Sequence, residues 1–368
     1  MTTAYSGDGI TFPDASVQAT APKVGMVNRI INGDMRIDQR NAGASVNTTL
    51  TNDYTVDRWR YGASQTSKFT VQQNAGSVTP PTGFSKYLGI TSSSAYSVTT
   101  NDYFRMAQPI EGFNIADLGW GTASAATVTL SFWARSSLTG VFGGALVNAN
   151  NNRSYPFTYT ISSANTWEQK AVTIAGDTTG TWATDNTVGI QLQFGLGVGT
   201  TYSGTAGAWA AGLYVSATGA TSVVGTSGAT WQITGVQLEK GSTATDFDYR
   251  PYGTELALCQ RYYTKMTTGG GIYTGFSLGY QTTTTVAICT MKFPMTMRSA
   301  PTLNQSNCAI NDTLAFTGAI TSITGVFAGP DTARFSANFT PAGGAIYRPV
   351  DLIANANSAA FFEISAEL

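Results

Sequence analysis

Carboxylate pairs are the side chains in this sequence that could hydrolyse a bond. The 368 residues contain no histidine, which excludes Ser-His-Asp and Cys-His catalysis and every zinc site that uses histidine. Glycosidases need two carboxylates, one on either side of the scissile bond. The candidate pairs are Asp34 with Asp38, Asp53 with Asp57, and Asp246 with Asp248. Neighbouring arginines should lower these carboxyl pKa values, which suits ion pairs better than a general acid, so we expect no enzyme activity.

Aromatic side chains in uncharged loops offer a second chemistry, the recognition of sugars. Sugar sites combine exposed aromatic rings, which stack on the apolar face of a pyranose, with planar polar groups that satisfy its hydroxyls. Trp182, Tyr202 and Trp209 lie in Gly- and Thr-rich loop sequence, and Asn150 and Arg153 lie in a polar stretch that offers such groups. We predict a glycan site from these residues. The alternative is that the loop tips bury against a neighbouring subunit.

Charged residues concentrate in two distant stretches, residues 28–60 and 231–251, whereas residues 186–238 carry no charge at all. With so few charges in the chain, pairing of opposite signs between the two stretches is the expected arrangement, since Arg–Asp contacts can be bidentate. A solvated polar face is the alternative. The predicted structural ion-pair network consists of Asp34, Arg36, Asp57, Arg58, Asp248 and Arg250.

The composition predicts an all-β protein. Hydrophobic residues make up 42% of the chain and charged residues only 11%, against roughly 25% charged in an average soluble protein. Thr, Ser, Asn, Gln and Gly supply the polarity instead, which suits strands and turns better than helices.

Several partners and cofactors are excluded on the same grounds. The formal net charge is −1 and no run of Lys or Arg exists, so nucleic acid is not expected as a partner. No apolar run approaches the roughly 20 residues that cross a bilayer, and no export signal of the usual kind is present, so we expect no membrane insertion. The odd, widely spaced Cys259, Cys289 and Cys308 predict buried thiols, and neither metal nor cofactor is expected.

Period-two alternation in residues 26–253 predicts an antiparallel β-sandwich of two sheets. In segments 128–132 and 188–194 every second residue is apolar, as in strands with one face inward. The parity of the apolar residues slips at Thr234 and Gly235, which predicts a β-bulge. Residues 254–368 are predicted to hold a short connecting helix, capped by Thr254, and a smaller β-domain.

Residues 1–25 have too little apolar surface to fold alone and are predicted to be a leader. Its Ile-Thr-Phe-Pro-Asp segment resembles one that recurs in bacteriophage tail-fibre and related virion proteins. The large domain resembles a domain of phage tail-fibre-like proteins. The motifs that carry this resemblance are Asn28–Arg40, Asp57–Trp59, Gln237–Gly241 and Phe247–Pro251, with Glu255–Tyr263 and Phe293–Pro301 after them.

The resemblance implies a jelly roll related to carbohydrate-binding modules and a role in the virion, which is assembled in the host cytoplasm. The leader would then attach to other virion proteins, and the β-domains would display loops to host surface glycans. Tail fibres are commonly trimers, and apolar residues on both faces of segment 286–291 favour a subunit interface. A head fibre, capsid decoration or tail connector with an assembly role is one alternative, and a glycan depolymerase is another.

Overall fold

The computed structural model describes residues 26–50, 53–312 and 316–368. Before residue 26 it describes the backbone of three short antiparallel strands, in the order β1-β2-β3: β1 Ala4–Ser6, β2 Gly9–Thr11 and β3 Val17–Gln18. The predicted leader, residues 1–25, otherwise lies outside the described residues.

The next fourteen strands surround the first apolar core. In chain order they are β4 Val46–Asn47, β5 Arg60–Ala63, β6 Phe69–Gln73, β7 Leu88–Ser92, β8 Tyr103–Glu111, β9 Val128–Ser136, β10 Gly140–Asn148, β11 Arg153–Ile161, β12 Glu168–Ile174, β13 Val188–Val198, β14 Ser203–Gly204, β15 Ala210–Ala211, β16 Ser216–Ala217 and β17 Thr230–Lys240. Short 3-10 helices lie at Ala75–Ser77, Gly112–Asn114 and Ala116–Leu118.

Twelve of these strands form a sandwich of two six-stranded antiparallel sheets, and β14 and β16 pair separately in parallel. Sheet A has the order β15-β11-β10-β13-β8-β5, and sheet B has the order β12-β9-β17-β7-β6-β4. Several strands that follow each other in the chain lie in opposite sheets, such as β8, β9 and β10, which gives the sandwich a jelly-roll character. The predicted all-β class and two-sheet architecture are confirmed.

Large aromatic residues fill the space between the sheets. Trp59, Phe132, Phe194 and Trp231 are all fully buried. The Phe194 ring lies 5.2 Å from Phe132 and 5.5 Å from Trp231, measured between ring centroids. Each of these side chains occupies an inward position of its strand or of the segment before it, so alternation in the sequence becomes a single apolar layer.

The bulge predicted at Thr234 and Gly235 is confirmed. The pairing of β17 with β9 shifts register between Thr234 and Gln237, and Gly235 has a φ of 60°. Glycine adopts this left-handed backbone at little cost. A Cβ at Gly235 would also lie 2.6 Å from the ring of Phe84, so the close approach of that ring requires glycine as well.

A single helix follows the sandwich in the described part of the chain. This helix, α1 Tyr252–Gln260, begins after Pro251 without a side-chain cap, so the prediction of Thr254 as its N-cap is wrong by about one turn. The physical reason is that proline is accommodated at a helix start without any capping side chain. Among the described residues, no helix is long and apolar enough to span a membrane.

The last nine strands form a second core. They are β18 Tyr263–Thr267, β19 Gly275–Thr283, β20 Val286–Lys292, β21 Thr302–Ser306, β22 Cys308–Asn311, β23 Thr317–Ala328, β24 Thr332–Thr340, β25 Pro349–Ala354 and β26 Phe361–Ser365. Six of them close a barrel in the order β19-β20-β24-β23-β22-β25, and β18-β26-β21 form a separate sheet. Cys259, Cys289 and Cys308 are free and buried, as the sequence predicts.

Candidate functional site

The loop tryptophans predicted as sugar platforms pack against each other instead. Trp120, Trp182 and Trp209 form a triangle with ring centroids 4.8 to 5.3 Å apart and edge-to-face geometry. Trp182 is only 7% exposed. The indole N–H of Trp182 donates to Thr179 O at 3.1 Å, and that of Trp209 donates to Ala175 O at 2.7 Å.

The placement of these tryptophans corrects the expectation of exposed rings in this region. Edge-to-face aromatic contacts stabilise the packing of the loops, and both indole donors are satisfied within the chain. Little of the Trp182 ring remains available to stack on a sugar, whereas the Trp209 ring is partly exposed.

Arg153 has an internal partner as well. Its guanidinium forms two hydrogen bonds of 2.7 Å to the carboxylate of Asp177, which is 2% exposed. The hydrogen bond to Asp177 raises the pKa of Arg153. Asn150 is exposed at the turn between β10 and β11. The structure therefore gives Arg153 a loop-fixing role and leaves Asn150 at the surface, away from any described cavity.

Tyr202 lines a cavity on the outer face of sheet A. The cavity has a volume of 130 Å³, and its lining consists of Tyr103, Arg105, Tyr202, Leu213 and Val215. The two tyrosine rings stand edge to face, 5.3 Å apart at an interplanar angle of 75°. We call this space the sheet A cavity.

The covering wall of the sheet A cavity is the segment that carries β14, β15 and β16. A main-chain hydrogen bond of 2.8 Å from Val215 N to Tyr202 O ties the two ends of this wall together. The wall lies close to the sheet because Gly195 of β13 has no side chain: a Cβ there would be 2.5 Å from Ser216 Oγ. Glycine at this outward position therefore sets how near the loop approaches.

Outward positions of neighbouring strands place a polar row beside the cavity. Arg105 on β8 donates from Nη1 to Gln193 Oε1 on β13 at 2.6 Å. Arg60 on β5 donates from Nη2 to Gln191 Oε1 at 2.9 Å, and Gln191 donates from Nε2 to Asn151 Oδ1 at 3.2 Å. The inward side chains of the same strands lie in the core, so period-two alternation alone directs this row outward.

The electrostatics of this row are unusual at Arg105, whose side-chain hydrogen-bond partner is a neutral amide. Among the residues that the structure describes, no Asp or Glu forms an ion pair with Arg105 or Arg60. Burial and, to a smaller extent, the positive charge of Arg60 together lower the pKa of Arg105 to about 10, although Tyr103 opposes the shift. Gln193 is fully buried, and its Nε2 has no hydrogen-bond partner. Its amide orientation follows from Oε1 accepting the arginine N–H.

Three of the carboxylates considered for catalysis, Asp34, Asp57 and Asp248, form ion pairs with arginines. Burial raises the pKa of Asp57 to about 7 although Arg40 opposes the shift, and burial likewise raises that of Asp34 against Arg36. The expectation that arginine neighbours lower these pKa values is wrong for both groups, because loss of hydration outweighs the ion pair. Nowhere in the described ranges do three acidic or cysteine side chains cluster in a metal-binding arrangement.

The two charged stretches meet in space, but mostly through main-chain oxygens. Ion pairs within each stretch join Asp34 to Arg36 and, at 3.5 Å, Asp248 to Arg250. Between the stretches, Arg36 Nη2 donates to Arg250 O at 2.9 Å and Arg250 Nη1 donates to Ile30 O at 3.2 Å. The Arg–Asp pairs expected across the stretches are replaced by these carbonyl contacts in the described residues.

Asp57 and Arg58 join the sandwich to the end of the chain. Arg40 contacts Asp57 at 3.5 Å and Glu367 Oε1 at 2.9 Å, and Arg58 forms an ion pair with Glu367 Oε2. The Arg58 guanidinium also lies over the Tyr262 ring, 3.6 Å from its centroid. We call Arg40, Asp57, Arg58 and Glu367 the junction.

Comparisons with known proteins find structural similarity over part of this chain. No family model matches the sequence, and no curated protein matches it. The enzymatically active domain of bacteriophage CBA120 tailspike protein 4 is 15% identical, with a TM-score of 0.33, over 58% of this chain and 22% of that chain. The chain thus spans less than a quarter of that tailspike domain.

The names of two further solved structures refer to the binding of sugars. A putative sugar binding protein from Bacteroides thetaiotaomicron is 11% identical, with a TM-score of 0.33, over 58% of this chain and 100% of that chain. A family 11 carbohydrate-binding module from Clostridium thermocellum is 11% identical, with a TM-score of 0.28, over 54% of this chain and 98% of that chain. Likenesses this weak decide nothing about what the present chain binds.

Proposed function

We propose that this chain is a non-enzymatic bacteriophage virion protein, a tail fibre or receptor-binding protein, that binds host surface glycans at the sheet A cavity. One observation carries the proposal: a partly buried tyrosine pair and an arginine backed by a glutamine amide line one cavity between the outer face of sheet A and its covering wall. The resemblance of the sequence to tail-fibre-like proteins supplies the virion context.

This combination of groups matches what a sugar ring requires. A pyranose offers an apolar face that packs on aromatic rings and hydroxyls that need planar polar partners. Tyr103 and Tyr202 supply the rings, while Arg105, held by the amide of Gln193, supplies N–H donors. A cavity of 130 Å³ is smaller than the roughly 300–1,000 Å³ of a drug-like site, so each site holds a short piece of a glycan.

Weak binding at such a small site favours a multivalent particle. Several copies of the chain, proposed as a trimer, would raise the overall affinity for a glycan-covered surface without new contacts. The barrel exposes large apolar side chains that a subunit interface would cover. Leu278 is 71% exposed, Phe327 is 70% exposed and Tyr347 is 76% exposed.

The same exposed residues favour a second function, assembly as a head fibre, capsid decoration or tail connector protein. In that role the barrel would bind another virion protein and the sheet A cavity would be incidental. Native mass measurement separates the oligomer from the monomer: a trimer supports the fibre, and a stable monomer overturns the proposed trimer.

Absence of enzyme activity is part of the proposal. Asp34, Asp57 and Asp248 are engaged in ion pairs, and no described acidic side chain lines the sheet A cavity. A depolymerase would need two carboxylates flanking a glycosidic bond. Release of reducing ends from a host polysaccharide would overturn this part.

The direct test is glycan-array binding of the full chain and of Tyr202→Ala. We expect binding to a subset of glycans and a loss of at least tenfold in the variant, since one wall of the site is removed. The matched control is Tyr252→Ala, which truncates a tyrosine that is 55% exposed at the start of α1, and it should bind like the wild type. Absence of binding to every glycan, or equal binding by Tyr202→Ala, contradicts the proposal.

A further inference from the structure

We infer that the sheet A cavity selects an anionic saccharide, whose acidic group pairs with Arg105. This inference rests on the proposed function, because it names the class of glycan that the same cavity takes. It goes beyond that function because aromatic walls and amide groups serve neutral sugars equally well.

The first step is the inventory of donors on Arg105. A guanidinium carries five N–H donors in a planar fork and cannot be deprotonated in a protein. Within the described chain, Arg105 uses Nη1 for one side-chain hydrogen bond, of 2.6 Å, to the neutral Gln193 Oε1. Its Nε and Nη2 form no side-chain hydrogen bond with any described residue. A bidentate edge of the fork is therefore open to an external acceptor.

The second step is the uncompensated charge. A partly buried cation without a carboxylate partner loses hydration and gains no Coulomb attraction in return. The nearest charged group is Arg60, which adds repulsion and contributes to the lowered pKa of Arg105. The Tyr103 ring, whose centroid lies 5.5 Å from the guanidinium carbon, offers only a weak compensation. A bound anion would remove this imbalance.

The third step is an unsatisfied donor directly behind the arginine. Gln193 is fully buried, and its Nε2 has no hydrogen-bond partner within the chain. Buried polar groups without partners are uncommon in native proteins and call for an explanation. A water molecule that links this buried amide to a ligand bound at the arginine fork would satisfy it.

Two kinds of acidic saccharide share this chemistry. A uronic-acid unit presents a planar carboxylate, and a sulfated or phosphorylated sugar presents a tetrahedral oxyanion. Both can accept two parallel N–H donors from a guanidinium. The planar carboxylate matches the planar guanidinium fork, so the uronic acid is the class that we test first.

The experiment is isothermal titration of the full chain with three matched probes. They are an oligosaccharide of glucuronic acid, the same oligosaccharide after reduction of its carboxyl groups to alcohols, and that neutral form carrying a sulfate ester. We expect the uronate to bind at least tenfold more tightly than the neutral form. Preference for the sulfated probe over the uronate would keep the anion class and assign a tetrahedral group.

Variants then locate the contact. Arg105→Gln should remove the preference for the acidic probe and leave the affinity for the neutral probe within about threefold. The control is Arg135→Gln, because Arg135 on the outer face of sheet B also donates from Nη1 to a glutamine oxygen, that of Gln232, at 2.6 Å. This control should keep the wild-type preference. An unchanged preference in Arg105→Gln overturns the inference.

The outcomes also separate this inference from the proposed function. Equal or tighter binding of the neutral probe by the wild-type chain overturns the anion preference while glycan binding stands. Failure of all three probes, together with failure on the glycan array, overturns both. The comparison of probes needs no variant, so it remains decisive if Arg105→Gln does not fold.

Discussion

Arg58 at the junction and Arg105 in the sheet A cavity have opposite electrostatic surroundings. At the junction, burial lowers the pKa of Arg58, but Glu367 and, to a smaller extent, Tyr54, Tyr262 and Cys259 together more than offset this, and the net shift is upward. In the cavity, burial lowers the pKa of Arg105, and no carboxylate opposes the shift. The fold thus places a carboxylate beside Arg58 and none beside Arg105.

This difference separates structure from binding within a single chain. Arg58 also donates from Nη2 to Pro109 O at 2.8 Å and packs on Tyr262, so its charge, both of its terminal nitrogens and its flat face have partners within the protein. Arg105 uses one donor, and its partner is a neutral amide. An arginine whose charge is paired within the protein stabilises the fold. An arginine without a charged partner is available to bind a ligand.

The largest expected effect comes from breaking the junction. Arg58→Met should lower the free energy of unfolding by about 3–5 kcal/mol, because it leaves a largely buried Glu367 carboxylate with fewer partners. Denaturant unfolding followed by tryptophan fluorescence measures the change. A loss of unfolding free energy below about 1 kcal/mol would mean that the junction contributes little to the stability of the fold.

The pH dependence of stability tests the role of Asp57 at the junction. The pKa of Asp57 is about 7 in the folded protein, above its ordinary value of 3.8, so between these values the folded state holds the proton that the unfolded state releases. The stabilising contribution of Asp57 should therefore fall as the pH rises from about 4 to about 7, and then level off. Asp57→Asn should lack this dependence, as measured by denaturant unfolding across that range. A wild-type chain and variant with parallel pH profiles would contradict the shift.

The smallest expected effect on stability is at the cavity. Arg105→Gln should change the free energy of unfolding by less than about 1 kcal/mol, or raise it, because the variant removes a charge that has no internal partner. The same denaturant experiment measures it beside Arg58→Met. A loss as large as that of Arg58→Met would make Arg105 a structural residue and erase the difference between the two sites.

The fold was largely predictable because its signals are local. Alternation in residues 188–194 marked a strand of sheet A, and the parity slip at Gly235 marked a bulge that the structure contains. Closure of the last strands into a barrel was not predicted. It depends on the pairing of β19 with β25, which is far from β19 in sequence and carries no local signal.

The site was harder to predict because it depends on which loops cover which face. Tyr202 was identified from its loop composition, but the same reasoning selected Trp182 and Trp209, whose loops converge and bury their rings. Arg105 and Gln193 were missed. Their signal was a polar residue at each outward position of an otherwise apolar strand, and it becomes meaningful only once sheet pairing places the two side chains together.

The most direct test of the account is a crystal structure of the full chain with a bound glucuronic-acid oligosaccharide. The account predicts ligand density in the sheet A cavity, with a sugar ring beside Tyr202 and its carboxylate within hydrogen-bonding distance of the Arg105 guanidinium. Ligand density in the loops that carry Asn150 and Trp182, with the sheet A cavity left unoccupied, would contradict it.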